Sequence, residues 1–145
     1  MTELLDVRPG ARVLEIGTGS GYHTAILLEL GARVTSVERL PGLAERARAV
    51  LRELEPDADV VVHVGDGSLG WRAGAPYDRV LVAAAAPHMP RALAEQLADG
   101  GRAVLPLGTR DEQVLTVIRK DVEELREERD IRCRFVPLLG DDGWR

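Results

Sequence analysis

The sequence predicts an α/β fold, a mostly parallel twisted sheet flanked by helices and closed by an antiparallel hairpin. Five short apolar segments alternate with segments whose apolar residues recur at helical spacing, the pattern of consecutive strand–helix–strand units. After Pro106 this rhythm stops, and two strand-like segments flank a charged stretch. A glycine-rich loop also follows the first strand directly. Together these features indicate an open sheet with a ligand site at its carboxyl edge.

The five parallel strands are predicted at residues 12–16, 33–37, 60–64, 79–83 and 102–106. Most are nearly continuous apolar runs, as expected for strands that are buried on both faces. Helices are predicted at 22–30, 40–54 and 90–97, the last beginning with a proline that suits a first helical turn. The hairpin strands are predicted at 113–119 and 131–138, joined by a solvated, charged connection over 120–130.

Length and composition predict one domain spanning residues 1–145 in the cytoplasm. The net charge is −5 with both signs interspersed, which disfavours nucleic acid as a partner. No apolar run approaches the roughly 20 residues of a membrane helix, and no secretory signal is visible at the N-terminus. The lone cysteine, Cys133, agrees with a reducing compartment and is interpreted as a packed thiol.

The loop after the first strand points to a nucleotide-type cofactor. Gly17, Gly19 and Gly21 allow a tight turn and a close approach of the backbone to a ligand, with Thr18 between the first two. The dinucleotide pattern G-x-G-x-x-G is not met, because Tyr22 stands where its third glycine is expected. A pyrophosphate is therefore disfavoured.

S-adenosylmethionine fits the same loop better, because it carries an ammonium and a sulfonium but no phosphate. The anionic Glu15 at the end of the first strand would attract these charges; the alternative is a carboxylate that caps the following helix. Glu38 ends the second strand at the spacing of a ribose ligand, and the alternative is a salt bridge with Arg39. Asp66, next to Gly67, follows the third strand and could bind the adenine amine or simply form a turn.

The fourth strand runs into small residues that would leave room for a substrate beside the cofactor. This predicted substrate face comprises Ala83, Ala84, Ala85 and Pro87; the alternative is that the alanines only permit close helix packing. His23, His63 and His88 lack metal-ligand spacing, and no base is visible for Ser20 or Ser68. We therefore predict no metal and assign no catalytic residue.

Across its length the chain resembles the protein-L-isoaspartate O-methyltransferases, which methylate isoaspartyl carboxylates in damaged proteins. The resemblance implies a Rossmann-like, S-adenosylmethionine-dependent methyltransferase fold, with S-adenosylhomocysteine as product. It also implies cofactor contacts from Gly17, Gly19, Glu38, Asp66 and Gly67, with Arg39 and the region of Leu139 nearby. The resemblance rests on the strings E-I-G-T-G-S-G-Y at 15–22, V-E-R at 37–39, G-D-G-S-L-G-W at 65–71, A-A-A-A-P at 83–87, G-G at 100–101 and F-V-P-L at 135–138.

Members of that family also carry an N-terminal portion, with a serine in a T-I-S-Q-P-like string, ahead of the segment that matches Met1. This sequence has no counterpart to that serine. A second interpretation is therefore a non-catalytic binding module that self-associates through surface left uncovered at the N-terminus. A third, a nicotinamide-dependent oxidoreductase, is disfavoured by Tyr22 and by the terminal hairpin.

Overall fold

Seven strands form one twisted sheet in the computed structural model of the protein, which describes residues 1–122 and 124–145. Their order is β3-β2-β1-β4-β5-β6-β7. The first five strands run parallel to one another. β6 runs antiparallel to β5, and β7 runs antiparallel to β6, which confirms the predicted sheet and terminal hairpin. The strands are β1 (Arg12–Ile16), β2 (Arg33–Glu38), β3 (Val60–Val64), β4 (Tyr77–Val82), β5 (Leu97–Gly108), β6 (Gln113–Asp121) and β7 (Glu124–Cys133).

Helices cover both faces of the sheet. Adjacent strand residues point to opposite faces, so the partners of two neighbours on β1 show both layers. Val13 of β1 is buried in a cluster with residues of α1 and α2, whereas its neighbour Leu14 is buried in a cluster that includes Leu93 of α4. None of the helices within the described residues is long and apolar enough to cross a membrane. The helices are α1 (Thr2–Leu5), α2 (Tyr22–Glu29), α3 (Pro41–Leu54) and α4 (Arg91–Gln96).

The second hairpin strand lies earlier in the chain than predicted. Residues 124–130, expected to be a solvated connection, belong to β7, while residues 134–138, expected to be strand, lie beyond its end. Almost every residue of β7 is exposed, because it is one of the two edge strands and both of its faces meet solvent, so no apolar alternation marks it in the sequence. Its charged side chains also discourage pairing with other chains. Glu123, part of the predicted connection, lies outside the described residues.

Two arginines hold the short helix α1 against the sheet. Arg102 donates to the carbonyl of Leu4 at 2.9 Å, and Arg79 donates to the carbonyl of Asp6 at 3.0 Å. Both guanidinium groups also lie within 4 Å of the Asp6 carboxylate. Because a helix leaves its last carbonyls without partners, these contacts satisfy the end of α1 and keep Leu5 buried.

Arg102→Met should therefore lower the free energy of unfolding by about 1–3 kcal/mol, since a largely buried charged donor to a helix end is lost while the apolar stem is kept. Arg119→Met is the matched control, because Arg119 pairs with Arg102 across β5 and β6 but makes only a half-exposed ion pair with Glu128. Its expected cost is below about 1 kcal/mol. Urea unfolding of both variants measures the difference, and equal costs would contradict the role assigned to Arg102.

Candidate functional site

A cavity of about 440 Å³ opens at the carboxyl ends of β1, β2 and β4. The strand order reverses between β1 and β4, which is where doubly wound sheets bind ligands. The segments that follow these three strands line the cavity, together with Gly67 after β3 and a segment near the end of the chain. The lining residues are Ile16, Gly17, Gly19, Val37, Glu38, Arg39, Leu40, Leu43, Gly67, Ala83, Ala84, Val136, Pro137, Leu138 and Leu139.

The glycine loop closes one side of the cavity. Gly17 has a φ of +91°, and its amide donates to the carbonyl of Val37, so the loop bends sharply over the end of β2. Such a φ strains any residue with a side chain. In the segment after β3, a Cβ on Gly67 would clash with Cγ2 of Ile16. Both glycines therefore keep backbone, rather than side chains, at the surface of the cavity.

Glu38 presents a fixed carboxylate to the cavity. Its Oε2 accepts from the amide of Gly19 at 2.9 Å, and its Oε1 accepts from the amide of Leu40 at 3.0 Å. The carboxylate thus joins the glycine loop to the start of α3. Each oxygen has a further lone pair, so Glu38 can accept additional hydrogen bonds from a ligand.

Glu15 lies beneath the loop, fully buried and outside the cavity lining. Its Oε2 accepts from Thr24 of α2 and from Ser36 of β2, both at 2.6 Å, while Oε1 has no partner among the described residues. Thr18 Oγ1 lies 2.5 Å from Ser36 Oγ. Because Ser36 uses its single proton on Glu15, Thr18 must donate to Ser36. This chain of hydrogen bonds connects the loop to the buried carboxylate.

Burial raises the pKa of Glu15 to about 7, although the hydrogen bonds from Ser36 and Thr24 lower it. The negative charge of Glu38 raises it further. On β4, the residue paired with Glu15 is the apolar Leu81, which offers no compensating charge. A cation above the loop would favour the ionised form of Glu15.

Asp66 is occupied by the end of the chain rather than directed at the cavity lining. Its Oδ1 accepts from the amide and the hydroxyl of Ser68, and its Oδ2 accepts from the amide of Asp141 at 2.8 Å. Burial alone would raise the pKa of Asp66, but these hydrogen bonds and the nearby Arg39 hold it below its usual value. The backbone of Gly67, next to Asp66, does reach the cavity.

The alanine run lies between the cavity and the end of the chain. Ala83 and Ala84 line the cavity, while Ala85 is buried and hydrogen-bonded to the backbone of Val136 and Leu138. Pro87 is exposed beyond the run. The predicted substrate face therefore divides into two cavity residues, one buried residue and one surface residue.

The predicted cofactor residues separate in the same way. Those that line the cavity are Gly17, Gly19, Glu38, Arg39 and Gly67; those that lie behind it are Glu15, Thr18, Gly21 and Asp66. Residues 136–139 add a wall to the cavity that the predicted site did not include. The F-V-P-L string and the implied proximity of Leu139 were the available signals for that wall.

Comparisons with known proteins identify relatives of this chain. The sequence model of the family described as "Protein-L-isoaspartate(D-aspartate) O-methyltransferase (PCMT)" matches residues 1–143. A protein-L-isoaspartate O-methyltransferase of Aeropyrum pernix is 53% identical over 149 residues, covering all of this chain and 57% of the relative. One from Anaeromyxobacter dehalogenans is 54% identical over 140 residues, covering 95% of this chain and 67% of the relative. The chain thus spans roughly three fifths to two thirds of these relatives.

Solved structures show the same fold. A protein-L-isoaspartate O-methyltransferase superposes with a TM-score of 0.90 at 28% identity, covering 98% of this chain and 46% of that one. A putative member from Plasmodium falciparum, solved in complex with S-adenosyl-L-homocysteine, has a TM-score of 0.78 at 24% identity, with coverages of 94% and 68%.

The buried Glu15 makes a prediction about pH. Because its folded pKa of about 7 lies above its unfolded value of about 4.5, the folded state holds more protons between these limits. Stability should therefore fall as pH rises through this window, by about 3 kcal/mol in total. Glu15→Gln cannot ionise and should remove this component of the pH dependence.

Urea unfolding of the wild type and the variant at pH 5 and pH 8 measures the effect. Glu53→Gln, at an exposed position of α3, is the control and should retain the wild-type dependence. The same fall in stability in Glu15→Gln would show that another group is responsible.

Proposed function

Because this chain belongs to the protein-L-isoaspartate(D-aspartate) O-methyltransferase family, we propose that the protein transfers a methyl group from S-adenosylmethionine to the free carboxylate of isoaspartyl residues in proteins. The observation that carries the proposal is the Glu38 carboxylate, fixed at the cavity by two backbone amides beside Gly17, Gly19 and Gly67. We also propose that residues 1–145 act as one cofactor-binding domain.

The residues around the cavity fit this cofactor. Glu38 can accept hydrogen bonds from ribose hydroxyls, and the apolar Val37, Leu40 and Leu43 suit an adenine ring. Oε1 of the buried Glu15, which has no partner in the part of the chain that the structure describes, provides negative potential beneath the loop. This favours a ligand that carries an ammonium and a sulfonium. A pyrophosphate, with two negative charges, would be repelled by the same groups.

We assign the predicted residues two kinds of role. Gly17, Gly19, Glu38, Arg39 and Gly67 contact the cofactor, because they line the cavity. The remaining predicted residues support these contacts from behind; they are Glu15, Thr18, Gly21 and Asp66. Thr18 does so through Ser36, and Gly21 does so by packing the start of α2 on α3, where it lies next to Ala47 and Leu51.

The chemistry demands little of the residues at the alanine run. The cofactor would supply a methyl group already activated on a sulfonium. A substrate carboxylate, with an ordinary pKa near 4, is ionised at neutral pH and needs no base. Ala83 and Ala84 leave space beside the cavity for this carboxylate, so the contribution of the protein is to orient the two reactants.

Exposed apolar side chains border the same opening. Leu40 and Val136, which line the cavity, are 49% and 70% exposed, and Tyr22, which follows the glycine loop, is 73% exposed. Self-association stays a prediction, which sedimentation would measure. The cytoplasmic location also stays a prediction.

Calorimetry with S-adenosylhomocysteine tests the cofactor assignment. Glu38→Gln should bind the ligand about 10- to 100-fold more weakly, because charged hydrogen bonds to the ribose are lost. Glu45→Gln, at an exposed position of α3, should bind as the wild type does. NAD should not compete. A wild-type protein that fails to bind S-adenosylhomocysteine at millimolar concentration would remove the assignment.

Methylation of a matched pair of peptides tests the substrate. With labelled S-adenosylmethionine, we expect transfer to a peptide that contains an isoaspartyl residue and none to its aspartyl counterpart, because only the former presents its free carboxylate on the altered backbone. Binding of cofactor with transfer to neither peptide would favour the non-catalytic binding module instead.

A further inference from the structure

The end of the chain forms one wall of the cavity. After β7, residues 136–139, here named the C-terminal wall, cross back to the alanine run and line the cavity. The amide of Ala85 donates to the carbonyl of Val136 at 2.7 Å, and the amide of Leu138 donates to the carbonyl of Ala85 at 2.8 Å. These two hydrogen bonds attach the wall to the alanine run.

A second attachment lies just beyond the wall, outside the cavity. The amide of Asp141 donates to Oδ2 of Asp66 at 2.8 Å, and the amide of Asp142 donates to Oγ of Ser68 at 3.0 Å. The Ser68 hydroxyl in turn donates to Oδ1 of Asp66 at 2.7 Å. Asp66 and Ser68 therefore bind two successive amides of the chain, and we name this pair the tail anchor.

The tail anchor fits its partner segment closely. A Cβ on Gly140 would lie 2.0 Å from Oδ1 of Asp66 and 2.5 Å from Oγ of Ser68, so the backbone rests directly on these two side chains. The chain then folds back on itself, with the amide of Trp144 bonded to the carbonyl of Leu138 at the end of the wall. A shift at the anchor is thereby transmitted to Leu138 through a short, hydrogen-bonded loop.

Ser68 is fully buried and does not line the cavity. Its hydroxyl donates to Oδ1 of Asp66 and accepts from the amide of Asp142, so it joins Asp66 to the segment that the tail anchor holds. An exposed turn serine would need neither bond, because water could replace both.

We propose that Ser68 is a positioning residue for the cofactor, holding the C-terminal wall in place through Asp66 and the backbone of residues 140–142. The inference rests on the proposed function, because it concerns the affinity of that same cavity. It places a determinant of cofactor affinity at a residue that touches no part of the cavity.

Ser68→Ala tests the proposal, with Thr116→Val as matched control. Thr116 is also buried and its hydroxyl also makes a hydrogen bond, to the carbonyl of Val114 in β6, but it does not line the cavity. Calorimetry should show a fall of about five- to tenfold in S-adenosylhomocysteine affinity for Ser68→Ala and no change for Thr116→Val. Both variants should lose stability, because each loses a buried hydroxyl hydrogen bond. A fall in ligand affinity for Ser68→Ala alone would show the positioning role.

A spectroscopic signal reports the wall directly. In a Trp71→Phe background, Trp144 is the remaining tryptophan of the chain. Adding Ser68→Ala should shift its emission to longer wavelength and increase its quenching by acrylamide, because the segment that holds it is released. Adding Thr116→Val should leave both unchanged. Gly140→Ala, which keeps Ser68 but displaces the backbone from it, should weaken ligand binding as Ser68→Ala does.

The outcomes separate the two levels of inference. If the wild type does not bind S-adenosylhomocysteine, the proposed function fails. If the wild type binds, and Ser68→Ala binds equally well with unchanged Trp144 emission, the proposed function stands and the positioning role of Ser68 is wrong.

Discussion

The buried carboxylate of Glu15 is the constraint on which the candidate site depends. It lies where β1, β2 and α2 meet, and it is fully enclosed, so its charge must be stabilised by fixed protein dipoles. Thr24 and Ser36 provide two such dipoles, and Thr18 extends the chain of hydrogen bonds into the glycine loop. The position of the loop is therefore tied to the polar groups beneath it, and a cavity made mostly of backbone gains a defined shape.

The sequence alone predicted the parallel part of the sheet because burial on both faces leaves a clear pattern. The apolar runs of β1, β2 and β4, and Gly31 after α2 with its φ of +79°, are local signals that hydrophobic burial and positive φ enforce. The charged strand β7 leaves no such signal, because an edge strand with both faces in solvent needs no apolar residues. The same physical condition that makes β7 a safe edge therefore makes it resemble a loop in sequence.

Three acidic residues at three strand ends were predicted to face one cofactor, and the structure gives them different partners. Glu38 reaches the cavity because α3 and the loop supply backbone amides to its two oxygens. Glu15 points to the opposite side, among the residues of α2. Asp66 is bound by an amide 75 residues further along the chain. A strand-end position predicts that a residue is near the site, but only long-range partners decide which way its carboxylate faces.

Gln113 illustrates how such long-range partners arise. It begins β6 and is buried; its Nε2 donates to the carbonyl of Thr109, while its Oε1 accepts from the amide of Phe135, just after β7 ends. This side chain spans the open end of the hairpin and fixes the direction in which the chain leaves it, towards the alanine run. The hairpin is thus more than an edge for the sheet. Gln113 sets the direction in which the chain leaves the hairpin, and Asp66 and Ser68 bind the chain again beyond the C-terminal wall. The wall is therefore held at both ends by residues that do not belong to it.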